Sequence, residues 1–277
     1  MAARMNRLLT TGKTHQSFRS AAKLLEINES TVRYHAEKKG INCYKKRKRN
    51  LIPKTQKEMR RYCCMKFRKT YRKSDVADFL FVDECYVTVK KHFNVQNERC
   101  YGKSFDLIPD YKKFRELPKT PLSAMIFGAV SREGRSRLVV LKSGFRLNQY
   151  TYKDKCLIPL QKKLPYKINA ATAIFYQDKA PCHRAGSVQK HLKKNFPRYV
   201  PHELMPPNSP DLSPLDYCVW NELKERLNKH GLISSFNKLK KILKKEWEAI
   251  PQAFIQASVD SWLPRVRRVE AARGGNI

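Results

Sequence analysis

The sequence is short of acidic residues and of long apolar runs, and each shortage excludes a class of protein. Only 24 Asp and Glu stand against 58 Lys and Arg in 277 residues, so the formal net charge is +34. A globular protein this basic normally faces a polyanion. No apolar run approaches the roughly 18 residues that a membrane-spanning helix needs, and no N-terminal signal segment is visible. Nucleic acid is therefore the expected partner, ahead of an acidic membrane surface.

Paired metal-binding cysteines are also missing, although the chain has eight cysteines. None forms a Cys-x-x-Cys pair, and no paired histidines complete a zinc site. Cys63 and Cys64 are adjacent, which makes it difficult for both to join one tetrahedral site. The pattern predicts reduced thiols in an intracellular protein.

Residues 17–40 have the pattern of two short helices joined by a tight turn. Ala22 and Val32 have the spacing by which the helices of a helix-turn-helix pack together, and Asn28 can cap the second helix. Glu26 stands where a turn glycine is usual, and an ordinary helical hairpin is the alternative. The second helix would lie in the major groove, and its candidate DNA-binding residues are Ser30, Thr31, Arg33 and Tyr34.

A strongly basic segment follows this pair of helices. Its first five residues resemble a nuclear localisation signal or a linker that follows DNA phosphates: Lys45, Lys46, Arg47, Lys48 and Arg49. Pro53 separates them from a helix predicted over 55–71, whose expected apolar stripe is Met59, Tyr62, Cys63 and Phe67. A solvated charge run is the alternative, but the neighbouring helices favour contact with phosphate.

Three aspartates occupy matching places in the rest of the chain. Asp83 lies within an apolar strand, Asp178 ends a later apolar strand, and Asp216 opens a helix after a proline-rich loop over 206–214. A carboxylate in an apolar strand is costly unless it is paired or holds a metal. Glu84 is expected on the opposite face of its strand, outside the site of Asp83.

The order of the predicted elements can bring these three acids to one edge of a sheet. The intervening elements are a hairpin over 123–144, a helix over 147–164 that Pro159 interrupts, a strand over 171–178 and a helix over 187–196. Clustered acids repel one another, and a divalent cation relieves that repulsion. Mg²⁺ prefers oxygen ligands, and two such ions can assist phosphodiester cleavage.

Three segments carry a family resemblance: "FVDECYV", "FYQDKAPCH" and "PPNSPDLSPLDYCVW". Together they resemble the mariner branch of the DDE/D transposases, in a subgroup whose third acid is Asp. The resemblance implies an α/β, ribonuclease H-like fold, in which helices flank a mixed sheet, preceded by an all-α helix-turn-helix domain. It also implies that Asp83, Asp178 and Asp216 are the catalytic residues and the ligands of two Mg²⁺ or Mn²⁺ ions.

The resemblance gives a domain plan and a function as expectations. The plan has a helix-turn-helix domain over 1–44, a basic linker and helix over 45–76, a catalytic domain over 77–250 and a helical tail over 251–277. The expected function is a nuclear DNA transposase that binds terminal inverted repeats and target DNA as a homodimer. Residues 90–120 would form a clamp loop that grips the partner subunit, unless they fold back on their own domain.

Two other functions stay open at this point. Lys179 stands where relatives have Asn or Ser, so the chain could be an inactive or domesticated DNA-binding protein. A ribonuclease or Holliday-junction nuclease can use the same fold, although the helix-turn-helix pattern argues against it. Gly274 and Gly275 are expected to form only a flexible end.

Overall fold

A helical unit and a larger unit built on a sheet make up the described chain. The computed structural model describes residues 2–11, 17–44, 51–89, 99–114, 121–142, 144, 147–231 and 233–277. The division falls between Met1–Asn50 and Leu51–Ile277. The helical segments 51–76 and 251–277 therefore belong to the same unit as the sheet. Residues 45–49 lie outside the described residues.

The first unit contains the predicted pair of helices. Its helices are α1 (Ala2–Asn6), followed by a π-helical turn at Arg7–Thr11, then α2 (Phe18–Leu25) and α3 (Glu29–Lys38). The Ser17 side chain accepts a hydrogen bond from Ser20 N–H at the start of α2, and Asn28 does the same for Ser30 at the start of α3. Ala22 and Val32 are buried together, as their spacing predicts.

The turn between α2 and α3 is made without glycine. Glu26 itself takes the left-handed conformation, with φ of 54°. The Ile27 N–H then donates to Ala22 O at 3.1 Å, which satisfies a terminal carbonyl of α2. The missing glycine thus leaves a local backbone cost at Glu26 without preventing the turn.

The second unit is built on a mixed five-stranded sheet of order β3-β2-β1-β4-β5. The strands are β1 (Phe79–Thr88), β2 (Ser123–Val130), β3 (Val139–Lys142), β4 (Ile174–Tyr176) and β5 (Arg198–Tyr199). The pairs β1–β2 and β2–β3 are antiparallel, whereas β1–β4 and β4–β5 are parallel. This confirms the predicted mixed sheet, with β1 at its centre.

Alternate residues of β1 pack into different cores on the two faces of the sheet. Phe79 and Phe81 face one core, and Leu80 and Val82 face the other. Helices over residues 54–70, 220–228, 236–249, 252–260 and 262–271 contribute to the first core, and helices over 149–152, 158–162 and 186–195 contribute to the second. The apolar run before Asp83 therefore reflects burial on both sides.

The helices of the second unit have the following bounds. They are α4 (Lys54–Thr70), α5 (Asp110–Lys113), α6 (Gln149–Tyr152), α7 (Ile158–Lys162), α8 (Pro181–Arg184), α9 (Gly186–Asn195), α10 (Trp220–Asn228), α11 (Phe236–Ala249), α12 (Gln252–Asp260) and α13 (Trp262–Ala271). None of the described helices is long and apolar enough to cross a membrane.

The helix α4 has the predicted position, but half of its predicted stripe is wrong. Cys63 and Phe67 are buried as expected, whereas Met59 and Tyr62 are exposed. Arg60 is fully buried in their place. The reason is that Arg60 forms a buried ion pair with Asp211 and hydrogen bonds to backbone carbonyls, so a basic residue can occupy the inner face.

Pro159 interrupts the segment 147–164 as predicted. A π-helical turn at Lys153–Leu157 separates α6 from α7, and Ile158 N–H donates to Lys153 O, five residues back. Proline has no N–H to continue the regular hydrogen-bond series. The wider turn lets Pro159 occupy the first turn of α7.

The expectation of a flexible C-terminal end is wrong. Gly274 N–H donates to Val269 O at 2.8 Å, and Gly275 N–H donates to Ala272 O at 2.9 Å. A Cβ added at Gly274 would lie only 1.9 Å from Lys57 O in α4. The chain end is therefore packed against α4, where only glycine fits.

Residues 99–114 of the predicted clamp loop are described, and 90–98 and 115–120 are not. The aromatic side chains of Tyr101, Phe105, Tyr111 and Phe114 are all exposed. Phe105 and Phe114 meet edge to face, with their ring centroids 6.2 Å apart.

Candidate active site

The three aspartates line one cavity at the end of β4. Asp83 lies in the middle of β1, Asp178 follows the parallel neighbour β4 by two residues, and Asp216 lies in a π-helical turn at Leu215–Val219 before α10. The cavity has a volume of about 570 Å³, and all three aspartates belong to its lining. The topology therefore brings together three side chains that are far apart in the sequence.

Asp83 is buried at the base of the cavity. Its Oδ2 accepts a hydrogen bond of 2.8 Å from the indole N–H of Trp220, the first residue of α10. Burial, and next the charge of Asp216, raise the pKa of Asp83 well above its usual range, although the Trp220 hydrogen bond opposes the rise. This carboxyl group therefore favours the protonated form when no cation balances its charge.

Asp216 lies beside Asp83 and is exposed, whereas Asp83 is buried. Partial burial among the other acids raises the pKa of Asp216 to about 6. Asp178 contributes to this rise, and Lys224 opposes it. Burial is thus the main cause of the raised pKa of both carboxyl groups, and the neighbouring acids add to it.

Asp178 has a different environment because its Oδ1 is already occupied. It lies 2.6 Å from His183 Nδ1 and accepts a 3.0 Å hydrogen bond from Ala180 N–H. Burial would raise the pKa of Asp178, but the hydrogen bond and charge of His183 lower it below the usual value. Contacts with Asp178, Cys182 and Glu84 raise the pKa of His183 well above its usual value, against the effect of burial.

The expectation that all three carboxylates lie within metal-bridging reach is not met. Among the described residues, no three His, Cys, Asp or Glu side chains are arranged so that they could hold a metal ion. Asp178 is directed to His183, whereas Asp83 and Asp216 pair with each other.

Glu84 lies outside the cavity lining that contains Asp83, as strand alternation predicts, but it is connected to Asp178 through His183. It faces the core that contains Tyr152, as the alternation predicts. Its Oε1 nevertheless lies 3.4 Å from His183 Nε2, and His183 in turn contacts Asp178. His183 also packs against the Tyr152 ring, with 4.2 Å between the ring centroids. His183 thus lies between two carboxylates at the sheet edge.

Two cations belong to the cavity lining. They are Lys179 and Arg184, which flank the start and the end of the short helix α8. Lys179 Nζ is 3.4 Å from the Met205 carbonyl oxygen, so the ammonium group is directed to the loop on the other side of the cavity. Lys179, the residue that follows Asp178, is therefore not paired with the Asp178 carboxylate.

The predicted DNA-binding residues of the first unit lie along α3. Arg33 Nη2 is 2.6 Å from Glu29 Oε1, so it is already paired on its own helix. Ser30 Oγ donates to Asn28 Oδ1 within the cap of the helix. Tyr34 is 61% exposed and is free to contact a partner surface, and Thr31 follows Ser30 in the first turn of the helix.

The sequence profile of a family described as "DDE superfamily endonuclease" matches residues 94–240, which is more than half of the chain. The chain belongs to this family. No curated protein matches the sequence. In this DDE superfamily endonuclease, the matched segment contains Asp178 and Asp216, whereas Asp83 precedes it. The connection of Asp83 to the other two therefore rests on its position in the cavity.

Solved structures with the same fold include several of the Mos1 transposase. The Mos1 strand transfer complex is 22% identical, with a TM-score of 0.75, and covers 100% of this chain and 79% of its own. A pre-cleavage Mos1 transpososome is 21% identical, with a TM-score of 0.76, and covers 100% of this chain and 80% of its own. The isolated Mos1 catalytic domain is 22% identical, with a TM-score of 0.62, and covers 83% of this chain. The endonuclease therefore has the ribonuclease H-like fold that the sequence resemblance implied.

Two residues of the site have no signal in the sequence of the endonuclease. The sequence pattern places Trp220 only in a buried helical stripe, but its indole N–H contacts Asp83. The basic sequence around Arg60 predicts an exposed residue, but Arg60 forms an ion pair with Asp211 in the loop before Asp216. The occurrence of Asp211 in the "SPDL" segment is the only hint, because a second acid so close to Asp216 needs a partner of its own.

Proposed function

We propose that this endonuclease is a DNA transposase that uses Asp83, Asp178 and Asp216 to cleave and join DNA. The observation that carries the proposal is the presence of all three carboxylates in one cavity at the sheet edge. It is supported by the family assignment and by a helical unit that precedes the sheet. The reaction would be hydrolysis at the ends of a DNA element, followed by attack of the freed 3′ hydroxyl on target DNA.

The donor chemistry of the cavity fits a divalent cation. Asp83, Asp178 and Asp216 would hold Mg²⁺ or Mn²⁺, because these ions prefer carboxylate oxygens, and the charge of a cation would oppose both the burial and the neighbouring acids that raise the pKa of Asp83 and Asp216. When bound, two such ions activate an attacking oxygen and stabilise the leaving one. Mos1 complexes have been solved with Mn and with Mg, which supports the same choice of metal here.

The neighbouring side chains would position the three acids. Trp220 fixes one oxygen of Asp83 through its indole N–H, which leaves the other oxygen for the cation. His183 would orient Asp178 and balance its charge. Glu84 would keep the His183 ring in place from the opposite side.

The rest of the chain would supply contacts with DNA. The net charge of +34 favours binding to phosphates. The helix α3 would read terminal inverted repeats with Ser30, Thr31, Arg33 and Tyr34, and the run Lys45, Lys46, Arg47, Lys48 and Arg49 would contact the backbone. Lys179 and Arg184 lie where they could hold the phosphates that flank the cleaved bond.

Paired action on two DNA ends requires two active sites, so we infer a homodimer on DNA. The Mos1 structures include a paired-end complex, and a symmetric dimer is the commonest assembly for soluble proteins. The basic run over 45–49 would direct the chain to the nucleus, where its DNA substrates lie.

The test is incubation of the purified chain with duplexes that end in the repeats flanking its own coding sequence, with Mg²⁺ or Mn²⁺. A transposase should nick or cut at the repeat ends and join them to an added target duplex, and a scrambled end should be inert. Tight binding of the repeats without cleavage would instead identify a domesticated DNA-binding protein. Cleavage of RNA hybrids or of four-way junctions without regard to the ends would identify a nuclease of another class.

A further inference from the structure

Arg60 in α4 carries a guanidinium group that is fully buried inside the second unit. A buried charge is costly unless its partners are well arranged. Every N–H of this group has an acceptor, and the acceptors come from two segments far away in the sequence. They are Asn208 O, Ser209 Oγ, both carboxylate oxygens of Asp211, Gly274 O and Gly275 O. These residues form the Arg60 cluster.

One side of the Arg60 cluster is the loop that leads to Asp216. Arg60 Nη2 lies 2.7 Å from Asp211 Oδ2, and Nη1 lies 2.9 Å from Asn208 O and 2.6 Å from Ser209 Oγ. Asn208 and Ser209 also line the cavity that contains the three aspartates. The guanidinium group therefore supports the inner wall of the cavity from behind.

The loop has little regular structure of its own. Within 206–214 it contains one short 3₁₀ turn at Pro210–Leu212, and Asn208 has a left-handed backbone with φ of 47°. The turn makes two backbone hydrogen bonds, from Leu212 N–H to Ser209 O and from Ser213 N–H to Pro210 O. Its position thus depends on the burial of Leu212 and on hydrogen bonds from other segments, and among the described residues Arg60 donates four of these, against one each from Ser258 and Arg265.

The other side of the Arg60 cluster is the end of the chain. Arg60 Nε donates to Gly274 O at 2.9 Å, and Nη2 reaches Gly275 O at 3.3 Å. Gly274 has φ of +80° and lies so close to Lys57 O that no other side chain fits. The chain end covers the guanidinium group, and this cover keeps water away from the ion pair with Asp211.

We propose that Arg60 is a positioning residue for the third acid, and that the chain end at Gly274 and Gly275 completes its site. When the end is seated, the charge-assisted hydrogen bonds of Arg60 fix the loop 206–214 and hence the place of Asp216. When the end is displaced, water reaches the guanidinium group and the loop gains freedom. The proposal rests on the proposed function for its effect on cleavage, but its effect on the loop is independent of it.

Two substitutions test the proposal from opposite sides of the cluster. Arg60→Lys keeps the charge but loses the fork that binds Asp211, Asn208 and Ser209 at once. Gly274→Ala leaves every charge in place and displaces the chain end by its clash with Lys57. Arg61→Lys is the matched control for the first, because Arg61 is the exposed neighbour of Arg60. Gly231→Ala is the control for the second, because Gly231 has φ of +64° and open space around it.

The first readout is hydrogen exchange of the full chain, at the hydrogen-bonded amides of Leu212 and Ser213. We expect both substitutions to accelerate exchange there by at least about ten-fold, while the strands β1 and β2 keep their protection. The second readout is the single-turnover rate of cleavage at saturating repeat DNA. We expect that rate to fall by about a hundred-fold, because small displacements of a reacting group have effects of this size, with the Kd for the repeats unchanged.

Each outcome decides the proposal. Unchanged exchange in the loop in either folded variant would overturn it, and so would faster exchange with an unchanged cleavage rate. If Arg60→Lys does not fold, Gly274→Ala and Asp211→Asn provide the same comparison. Loss of protection over the whole sheet in all of them would mean that the cluster only stabilises the fold. A wild-type chain that cleaves no repeat DNA would refute the proposed function, and the exchange measurement would still decide whether the chain end fixes the loop.

Discussion

At the scale of single residues, the candidate site holds the carboxyl groups of Asp83 and Asp216 close together, with one of them buried. Asp83 is buried and lies beside Asp216. Among the described residues, the Trp220 indole N–H is the group that donates a hydrogen bond to its carboxylate. Such an arrangement costs stability in the absence of a cation, because crowded carboxylates repel and must share protons. A site that is selected for binding a cation can carry this cost.

Replacement of Asp83 with Asn should therefore stabilise the protein while it abolishes cleavage. The amide oxygen can still accept the Trp220 hydrogen bond, and a neutral amide removes the free-energy cost of burying or protonating the Asp83 carboxyl at a pH above its unfolded pKa. We expect the free energy of unfolding to rise by about 1 kcal/mol, which is the scale of one pKa unit. Thermal or urea unfolding in a buffer free of divalent cations measures this change.

The matched control is Asp154→Asn, since Asp154 is an exposed acid whose nearest cation, Lys153 Nζ, is 4.0 Å away. It should change neither the stability nor the cleavage rate. A destabilised Asp83→Asn protein would mean that the buried carboxylate is a structural group with adequate partners.

The three acids that line the cavity could be picked out from the sequence, but Trp220 and Arg60, which contact Asp83 and the loop before Asp216, could not. Asp83, Asp178 and Asp216 stand in local motifs, at a strand, a strand end and a helix start, so that short segments suffice to find them. Trp220 and Asp83 are 137 positions apart, and a contact of that kind follows from the packing of α10 on the sheet. Arg60 looks like a surface residue in any local window, because its partners are contributed by the rest of the fold.

At the scale of elements, most of the predicted helices and strands are present, and the exceptions have local causes. The predicted stripe of α4 is half wrong because Arg60 replaces an apolar residue on its inner face. The prediction for the chain end is wrong because two adjacent glycines usually indicate flexibility, whereas Gly274 here provides the space for a close approach to α4. Both errors concern residues, Arg60 and Gly274, whose role depends on contacts with segments far away in the sequence.

The turn between α2 and α3 provides a prediction at this scale. Glu26 has φ of 54°, a conformation that costs an ordinary residue more than it costs glycine. Glu26→Gly should stabilise the helical unit by about 0.5 kcal/mol, because the relief of strain exceeds the added freedom of the unfolded chain. Hydrogen exchange of the amides in α2 and α3 measures the change.

The companion variant is Gly40→Ala, at a glycine with φ of +65° just after α3. It should lower the protection of the same amides, since a side chain is introduced in a left-handed backbone. Equal effects of the two variants would show that backbone conformation does not limit the stability of this unit.

At the scale of the whole molecule, the excess of basic residues should dominate the affinity for DNA. Each phosphate that is neutralised contributes a slope of about −0.9 in log K against log salt concentration for duplex DNA. Deletion of residues 45–49 should make the slope less steep, by about 0.9 for each phosphate contact that is lost. The preference for repeat ends should stay intact. Binding titrations at several salt concentrations measure the slope, and affinity that does not change with salt would contradict the account.

Assembly on DNA provides a second prediction at this scale. The aromatic residues Tyr101, Phe105, Tyr111 and Phe114 within 99–114 are exposed, which favours contact with a partner subunit. Deletion of residues 106–116 should abolish complexes with two DNA ends and spare the binding of a single end. Sedimentation on repeat DNA distinguishes the two, and an unchanged complex of two protein chains would exclude this role for the loop.

The central claim is that Asp83, Asp178 and Asp216 act together as one cation-dependent site. Its most direct test is single-turnover cleavage of a repeat-ended duplex while Mn²⁺ is titrated, for the wild-type chain and for the three Asp→Asn variants. The wild-type rate should rise to saturation with Mn²⁺, and each variant should lose about a thousand-fold, since a catalytic cation contributes several kcal/mol. Asp154→Asn should follow the wild-type curve. Any one of the three variants that keeps both the rate and the Mn²⁺ dependence of the wild-type chain would contradict the claim.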